Sequence, residues 1–230
     1  MHKRRDLPIP TAERLPRYFR YISDRSNVGQ RTVSSDEIGE ALDLDPAQVR
    51  KDLSMVWGKG RAGIGYEIRP LLERLEEFLG TRTEKQAVLV GVGQLGTALA
   101  CYTGFRRYGL RITAAFDKDF DKIGTDVCGI PVYSEEELAG YLDQNHILMG
   151  IIAVPADAAQ QVAEKMAAAG VRAIWNFSPT ILRLTTPLIV RNEDLGADLA
   201  ILAYHLTRQD EEASSKLESE EPSGENKNGT

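Results

Sequence analysis

Cysteine and histidine are scarce in this chain of 230 residues. The two cysteines lie far apart and form no C-x-x-C pair, so the sequence supports neither a disulfide framework nor a zinc site. We expect Cys101 and Cys128 to be half-buried free thiols. None of the three histidines has a second His or a Cys at a metal-ligand spacing, so we expect no metal site.

Long apolar runs are also missing. A helix that crosses a bilayer needs about 20 consecutive apolar residues, and the longest candidate, Ile147 to Pro155, is roughly half of that. The first residues are basic, but Asp6 and Pro8 follow at once and no apolar segment lies behind them, so no export signal is predicted. These absences exclude a membrane-spanning chain and favour a cytoplasmic location.

Charge is distributed unevenly along the chain, whose formal net charge is −6. Residues 209–230 hold 7 acidic and 2 basic side chains and almost no apolar ones, so we expect a disordered acidic tail. Residues 1–82 hold 15 basic and 13 acidic side chains, and the basic ones cluster. Such a cluster binds nucleic acid despite a net acidic chain, because the phosphate field extends over about one Debye length, ~8 to 10 Å.

Residues 1–82 have the pattern of a small helical domain. Apolar residues recur at helical spacing from Leu15 to Ile22, and Ser34 with Glu37 has the spacing of a capping box that starts a second helix. A third helix begins at Asp45-Pro46 and has an outer face of small, basic and hydroxyl residues: Ala47, Arg50, Lys51 and Ser54. Two short helices in tight succession indicate a helix-turn-helix.

A glycine-rich segment follows the third helix. Four glycines occur between Gly58 and Gly65, with Lys59 and Arg61 among them. Glycine at this density permits positive φ and close backbone approach. A flexible surface loop and a hairpin wing that lies along a DNA groove both fit the glycines, and the position directly after a basic helix favours the wing.

Residues 83–208 begin with a possible dinucleotide-binding unit. A strand from Gln86 leads into Gly91-Val92-Gly93-Gln94-Leu95-Gly96 and a helix, and the next strand ends at Asp117, 21 residues after the third glycine. The glycines would let a pyrophosphate approach the helix N-terminus, where anions are favoured. Asp117 would accept hydrogen bonds from the adenosine ribose and repel a 2′-phosphate, which favours NAD(H). The alternative is a structural glycine turn with a solvated Asp.

Three further strands, which end near Tyr133, Val154 and Asn176, alternate with helices. Repeated βαβ units of this kind form a doubly wound parallel sheet. Ligands bind at the carboxyl ends of such strands, so Pro155, Asn176 and Ser178 are predicted to border the nicotinamide half of a dinucleotide. The expected fold class is α/β: an N-terminal winged helix-turn-helix domain (1–82), a Rossmann-like NAD(H)-binding and dimerisation domain (83–208) and the acidic tail (209–230).

A final helix carries a stripe of four leucines, which would dock on its own domain or reach a second subunit: Leu195, Leu199, Leu202 and Leu206.

Several motifs now occur in a characteristic order. They are Gln48–Ser54 on the third helix, Gly63–Tyr66 at the end of the wing, the glycine turn Gly91–Gly96, Asn176–Pro179 and the closing Asn192–Leu195. In this order they resemble the family of redox-sensing transcriptional repressors named Rex, over roughly residues 11–207. The resemblance implies a homodimer with exchanged C-terminal helices on a palindromic operator of double-stranded DNA. It also implies that NADH binding closes the dimer and releases the DNA, and that NAD⁺ opposes this effect.

The resemblance also suggests roles for particular side chains. The expected DNA contacts come from the outer face of the third helix and from the wing: Gln48, Arg50, Lys51, Ser54, Lys59 and Arg61. Arg20, Tyr102 and Asp194 match positions that, in the family, form an ion pair and a hydrogen bond which change between two dimer states. The alternative is that Arg20 is solvated and that Asp194 is a simple helix N-cap.

The wing departs from the family pattern. Relatives usually carry Gly soon after the third helix and Arg just before the end of the wing, where this chain has Trp57 and Ala62. The corresponding arginine, Arg61, is displaced by one position, which would turn it to the other side of the hairpin.

Three classes of function fit parts of this pattern. The first is an NADH-responsive DNA-binding repressor, the second an NAD-dependent oxidoreductase, and the third a nucleotide-binding or CoA-binding module. Neither His146 nor His205 has the surroundings of a convincing acid/base catalyst, and a basic winged helix has no explanation in either rival class. The sequence therefore favours a repressor that is not an enzyme.

Overall fold

Four helices and a two-stranded sheet make up the N-terminal part of the chain. The structure, a computed structural model, describes residues 7–220, with side chains as far as residue 212. In chain order the N-terminal elements are α1 (Ile9–Asn27), β1 (Thr32–Val33), α2 (Ser35–Leu42), α3 (Pro46–Val56), β2 (Tyr66–Glu67) and α4 (Ile68–Leu79). Strands β1 and β2 pair antiparallel.

The helix starts follow from the capping residues. The Ser34 hydroxyl accepts a hydrogen bond from the Glu37 N–H at 3.0 Å, and the Glu37 carboxylate accepts from the Ser34 N–H at 2.6 Å, so both halves of the capping box are present. Asp45 caps α3 through the Ala47 N–H at 2.7 Å, with Pro46 in the first turn. The predicted helix-turn-helix is therefore confirmed.

A buried carboxylate joins α1 to α3. Asp52 is fully buried and accepts hydrogen bonds from Arg14 Nε at 2.6 Å, Arg14 Nη2 at 2.9 Å and Tyr18 Oη at 2.7 Å. Two further donors are Thr11 Oγ1 at 3.0 Å and Gln48 Nε2 at 2.9 Å. These five bonds offset the cost of burying the charge and fix α3 against α1.

The donors also determine the ionisation of Asp52. Burial raises the pKa of Asp52, but the hydrogen bonds from Arg14 and Tyr18 oppose this effect, and the pKa lies below its usual value. The Tyr18 phenol is affected in the opposite sense, since burial and the adjacent Asp52 carboxylate raise its pKa. Asp52 is therefore a carboxylate at neutral pH and Tyr18 a donor.

A seven-stranded sheet forms the core of the C-terminal part. Its strands are β3 (Lys85–Val90), β4 (Leu110–Asp117), β5 (Asp126–Val127), β6 (Ile130–Ser134), β7 (Met149–Ile152), β8 (Ala173–Asn176) and β9 (Ile189–Asn192), in the spatial order β5-β6-β4-β3-β7-β8-β9. Strands β4 and β6, β7 and β8, and β8 and β9 pair in parallel, whereas β5 pairs antiparallel with β6 at one edge. The sheet is mostly parallel, as predicted for a Rossmann-like domain.

Helices connect these strands. They are α5 (Gln94–Cys101), a 3₁₀ helix (Thr103–Tyr108), a 3₁₀ turn (Glu135–Glu137), α6 (Leu138–Asn145), α7 (Ala156–Ala168) and α8 (Leu195–Glu220). Apolar residues from the strands and from α6 and α7 share one buried core, among them Val88, Phe116, Leu142, Val162 and Ile174.

By its internal contacts the described chain divides into two units, residues 7–87 with 101–113 and residues 88–100 with 114–220. The boundary predicted at residues 82 and 83 stays a proposal.

The prediction of a disordered tail from residue 209 is wrong for residues 209–220. Helix α8 continues to Glu220, and Arg208 donates to Glu212 at 2.7 Å, a favourable i,i+4 pair. Glu, Ala and Lys have high helix propensity, so a segment too polar to form a core still extends a helix. The rest of the predicted tail, 221–230, lies outside the described residues.

Two further expectations need correction. Both Cys101 and Cys128 are disulfide-bonded rather than free, since separation along a sequence does not limit distance in a folded chain. Strand β9 was not predicted, because it has only four residues, follows Pro187 and is largely exposed. A period-two signal is weak in so short an edge strand.

No helix within residues 7–220 is long and apolar enough to cross a membrane. In the same part of the chain, no cluster of His, Cys, Asp and Glu has the composition of a metal site.

We expect Asp52→Asn to lower the free energy of unfolding by about 3 kcal/mol at neutral pH. This is the lower end of the range for a broken buried ion pair, because Arg14 keeps some access to water. Since folding lowers the pKa of Asp52, its stabilising effect is complete above the unfolded value of 3.8 and is lost as the pH falls through the folded value. Urea unfolding between pH 2.5 and 7 measures both effects.

The matched control is Asp24→Asn, which breaks the exposed Asp24–Arg107 pair in the same unit. It should cost less than about 1 kcal/mol and leave the acid dependence of the wild type. Equal losses in the two variants would contradict the role of Asp52.

Candidate functional site

A basic groove lies between the outer face of α3 and the glycine-rich segment. Its volume is about 770 Å³. Five of the six side chains predicted to contact DNA line it: Arg50, Lys51, Ser54, Lys59 and Arg61. The carboxylates of Asp36 and Glu37 also line the groove, at the start of α2. We call this surface the α3 groove.

The sixth predicted side chain, Gln48, does not line the α3 groove. It is partly buried, and its amide donates to Asp52 one turn further along α3. The structure therefore shows Gln48 as a hydrogen-bond donor to the buried Asp52 carboxylate, and the contact of Gln48 with DNA stays a prediction.

Opposite faces of α3 have opposite environments. Val49 and Leu53 are fully buried in the unit, whereas Lys51 and Ser54 are exposed. The Arg50 guanidinium donates to Ser35 Oγ at 3.1 Å and lies 3.7 Å from the Asp36 carboxylate, so α2 orients it. The face predicted for DNA contact is thus presented outward, with one arginine already held in place.

The glycine-rich segment is a hairpin rather than a flexible loop. Arg61 and Gly65 exchange two backbone hydrogen bonds, each of 2.8 Å. Gly65 has φ +84°, and a Cβ there would lie 2.3 Å from the Val33 carbonyl oxygen, so only glycine fits against β1. Ile64 is 53% exposed beside it. We call residues 58–66 the wing.

Trp57 and Ala62, the two departures from the family pattern, lie at the end of α3 and in the wing. Trp57 ends α3, and its N–H donates to the Leu53 carbonyl at 2.8 Å. Ala62 is exposed in the wing. The neighbouring Arg61 forms an ion pair with Glu67 at 3.0 Å and lines a second groove as well as the α3 groove. The displaced arginine therefore borders both grooves that meet at the wing.

A second site lies at the carboxyl ends of the parallel strands, where each glycine of the G-x-G-x-x-G turn has a different reason to be glycine. Gly91 has φ +96°, and a Cβ there would lie 2.5 Å from the Ala153 carbonyl oxygen. A Cβ on Gly96 would lie 1.8 Å from the Gly91 carbonyl oxygen. A Cβ on Gly93 would meet no protein atom within 4 Å. Two glycines thus close the turn, and the third leaves open space.

The rest of the turn leads directly into α5. Val92 is buried, whereas Gln94, the first residue of α5, is exposed and Leu95 is partly buried. The turn therefore offers Gly93 and Gln94 to solvent at the N-terminus of a helix, which is the arrangement that favours anions.

Asp117 at the end of β4 is bonded to this turn. Its Oδ2 accepts from the Val92 N–H at 2.7 Å and from Lys122 Nζ at 3.3 Å, and its Oδ1 accepts from the Asp119 N–H at 3.0 Å. Burial raises the pKa of Asp117, but these hydrogen bonds outweigh it and the pKa lies below its usual value. An ionised carboxylate accepts up to about four hydrogen bonds, so Asp117 still has an acceptor site.

The loops after β7 and β8 are joined to the same edge of the sheet. The Ser178 hydroxyl donates to the Val154 carbonyl at 2.6 Å, and Pro155 is exposed at the start of α7. Asn176 is fully buried, and its amide donates to Thr180 O and Asn192 Oδ1, each at 2.9 Å. Asn176 therefore fixes the loop after β8 through hydrogen bonds within the protein, and its contact with a ligand stays a prediction.

Sequence reasoning missed two contributors to this edge. Lys122 follows the Asp117 strand in a turn, where the only signal is the alternation of acidic residues, and Asn192 belongs to the unpredicted strand β9. Both are identified only by their bonds to Asp117 and Asn176.

The three predicted switch residues occupy different elements. Arg20 is exposed on α1, and Tyr102 is 59% exposed after α5, with its ring edge-on to Phe105 at 4.9 Å. Asp194 accepts from the Gly196 N–H at 3.1 Å and the Ala197 N–H at 3.0 Å, so it caps α8. The structure shows the cap, while the pairing between two dimer states stays a prediction.

The four leucines of α8 are exposed in the single chain. Leu195, Leu199, Leu202 and Leu206 have exposed fractions between 60% and 67%. Tyr204 is similarly exposed on the same helix. The alternative in which this stripe docks on its own domain is therefore wrong, and an apolar surface of this kind indicates an interaction site.

Two protein-family models match different parts of the chain. Residues 6–54 match the family described as "Putative DNA-binding protein N-terminus". Residues 82–180 match the family described as "CoA binding domain".

Similar proteins cover nearly the whole chain. The chain is 41% identical over 205 residues to the redox-sensing transcriptional repressor Rex of Streptomyces avermitilis. The alignment covers 89% of this chain and 81% of the relative. The chain is 40% identical over 208 residues to the Rex of Roseiflexus sp., with 90% and 94% covered. With the Rex of Brevibacillus brevis it is 39% identical over 207 residues, with 90% and 100% covered.

Solved structures of one Rex-family repressor superpose on almost the whole chain. The crystal structure of RSP in complex with β-NAD⁺ and operator DNA superposes with a TM-score of 0.82 at 32% identity, and covers 93% of this chain and 98% of that one. The complex of RSP with β-NADH gives a TM-score of 0.79 at 31% identity, with 92% and 99% covered. RSP is described as a Rex-family repressor.

We expect Gly96→Ala to lower the free energy of unfolding by about 1 to 3 kcal/mol, because its Cβ cannot fit beside the Gly91 carbonyl. Gly93→Ala is the matched control, since its Cβ enters open space and should change stability by less than about 0.5 kcal/mol. Urea unfolding measures both. Equal stabilities of the two variants would show that the turn is not closed at Gly96.

Proposed function

The chain belongs to the family of redox-sensing transcriptional repressors named Rex, and we propose that it binds a palindromic operator as a homodimer and releases this DNA when NADH binds. Like its relatives, which are transcriptional repressors, the chain is a DNA-binding regulator and not an enzyme. The observation that carries the proposal is the α3 groove. It gathers five side chains suited to DNA, in a chain whose second unit has a complete glycine turn with an acidic partner.

The ligand proposed for the glycine turn is NADH or NAD⁺, the two nucleotides bound by RSP. Gly93 leaves space for a pyrophosphate at the start of α5, and Asp117 keeps an acceptor for ribose hydroxyls. CoA, by contrast, carries a phosphate on its adenosine ribose. The Asp117 carboxylate would repel that phosphate, which argues against CoA in spite of the family match over residues 82–180.

We assign residues 1–82 to operator binding and 83–208 to NAD(H) binding and dimerisation. The exposed leucines of α8 support the dimer, since a second subunit would cover them. A regulator that acts on chromosomal DNA works in the cytoplasm of a bacterium, which is the location proposed here.

The direct test titrates NADH, NAD⁺ and CoA against the purified chain bound to a fluorescent duplex that the wild-type chain has selected from random-sequence DNA. NADH should weaken DNA binding by roughly 5- to 150-fold, NAD⁺ should oppose it, and CoA should have no effect. Release by CoA would favour a CoA-binding module. Steady oxidation of NADH in the presence of a carbonyl compound would favour an oxidoreductase.

Arg50→Ala and Lys51→Ala should each weaken DNA binding, because both side chains extend from the exposed face of α3. A lost phosphate contact should reduce the slope of log K against log salt by about 0.9, and a lost base contact should cost about 1 to 3 kcal/mol and relax specificity. Fluorescence anisotropy across a salt series distinguishes these cases.

Arg82→Ala is the control for these variants, since it removes the same charge and Arg82 lines neither groove. If the Arg50 and Lys51 variants bind like the Arg82 variant, the assignment of α3 as the recognition helix fails.

Asp117→Ala should weaken NADH binding and narrow the preference for NADH over NADPH. The substitution removes the ribose acceptor and the charge that repels a 2′-phosphate, and it leaves the Lys122 ammonium near that position. Asp119→Ala, which removes the other carboxylate near Lys122, should keep the preference. Isothermal titration with both nucleotides measures it, and an unchanged NADH affinity in Asp117→Ala would show that this Asp is only structural.

We further propose that Arg20, Tyr102 and Asp194 couple NADH binding to DNA release. A ligand shifts a two-state dimer only through contacts that differ between the states, and an ion pair that breaks and re-forms is such a contact. Asp194 has remaining acceptor sites for this role, because the two N–H groups that it caps share one oxygen.

Arg20→Ala and Asp194→Asn should therefore keep the fold and the NADH affinity but reduce the effect of NADH on operator affinity. Asn retains a capping oxygen for α8 and removes the charge, so a change in coupling is not explained by a lost cap. Operator affinity with and without saturating NADH measures this coupling. Full release in both variants would place the switch elsewhere.

A further inference from the structure

We infer that a second groove, which shares the wing with the α3 groove, binds the DNA phosphate backbone on the other side of the wing. The inference rests on the proposed function. This second groove has a volume of about 650 Å³ and is lined by Arg31, Arg61 and Arg69, with Glu67 as its single acidic lining residue. None of the side chains assigned above to operator binding belongs to it except Arg61.

The two grooves are neighbours through the wing itself. Arg61 and Ile64 line both of them, while the remaining lining residues differ. The α3 groove continues to α3 and the start of α2, and the second groove continues to the segment before β1 and the first turn of α4. Arg61 and Ile64 of the wing therefore border two concave surfaces, each of which is also lined by other basic side chains.

The backbone holds the arginines of the second groove in place. Thr32 pairs with Glu67 in the β1–β2 ladder, and the Ile68 N–H donates to the Arg31 carbonyl at 2.9 Å. Arg31 and Arg69 thus flank one short, hydrogen-bonded sheet. Two cations on a fixed backbone lose less entropy on binding than cations on a free loop.

Two of the three arginines in this groove have charges that are not paired within the described residues 7–212. Glu67 is paired with Arg61 at 3.0 Å, so these two charges offset each other. Both Arg31 and Arg69 are exposed, and within residues 7–212 neither has an ion-pair partner. A guanidinium donates two parallel hydrogen bonds to a phosphate, which makes arginine the suitable residue for phosphodiester recognition.

The geometry of duplex DNA favours phosphodiesters as the occupant over a free anion. A minor groove is about 6 Å wide and is bordered by one sugar–phosphate backbone on each side. A hairpin that enters such a groove meets phosphates on both of its faces. The α3 groove would face one backbone, and Arg31 with Arg69 would face the other.

The test measures DNA binding by Arg31→Ala, Arg69→Ala and the double variant, with Arg82→Ala as the matched control. The probes are the duplex selected by the wild-type chain from random-sequence DNA, and poly(dI-dC) as non-specific DNA. Each single variant should reduce the salt slope by about 1.8 and the double variant by about 3.6, because both subunits of the proposed dimer lose the contact and each contact contributes about 0.9. The reductions should be the same on both probes, because a phosphate contact carries no sequence information. Arg82→Ala should keep the wild-type slope.

Ethylation interference then locates the contact. Ethylation of particular phosphates beside the wing should impair binding by the wild type but no longer impair binding by the double variant, which has already lost those contacts. The double substitution to lysine should restore most of the slope. Thermal unfolding and NADH affinity like those of the wild type show that the double variant is folded.

The outcomes separate this inference from the proposed function. A wild-type chain that selects no duplex overturns both. A double variant with the wild-type salt slope and interference pattern overturns the second groove alone, and so does a loss no greater than that of Arg82→Ala. A loss on the selected duplex with no change on poly(dI-dC) also overturns it, since that result would mean base recognition.

Discussion

The first unit depends on the burial of a single negative charge. Asp52 lies in the middle of α3 without access to water, and such a position is stable only because Arg14, Tyr18, Thr11 and Gln48 donate to it. Since three of these donors belong to α1, the interaction fixes the helix that presents Arg50 and Lys51 to the helix that carries Arg20. A displacement of α1 would therefore act on α3 through a bidentate ion pair as well as through the apolar core that the two helices share. This gives a physical basis for the proposed role of Arg20 on α1 in the control of DNA binding.

A similar constraint acts in the second unit, where Asp117 accepts from the Val92 N–H and so fixes the glycine turn to the end of β4. The same carboxylate thus has a structural partner and a proposed ligand partner. The N–H groups of Asp119 and Val92, and then Lys122, lower the pKa of this carboxylate and keep it ionised. Beside this carboxylate, the glycine turn combines a closed backbone at Gly91 and Gly96 with open space at Gly93.

Local sequence signals predicted most of the fold. The capping residues Ser34 and Asp45, the glycine turn and the alternation of strands and helices depend on neighbours close in sequence, and the structure has all of them. The errors concern features that depend on tertiary context. Strand β9 is short and exposed, α8 continues past residue 208 because helix propensity does not require burial, and neither cysteine is free. The bond from Gln48 to Asp52 was not predicted either, since it depends on a carboxylate whose burial is set by α1, and the contact of Gln48 with DNA stays a prediction.

The alternation of roles along α3 has a consequence for how such repressors diverge. The segment from Gln48 to Ser54 has two faces. Its buried or partly buried side chains are those of Gln48, Val49, Asp52 and Leu53, and its solvent-exposed side chains are those of Arg50, Lys51 and Ser54. Residues that maintain the fold and residues that would read the operator are thus interleaved but lie on separate faces of one helix. Substitutions on the outer face therefore allow a new operator preference to evolve, or to be engineered, without compensating substitutions among the buried residues of α3.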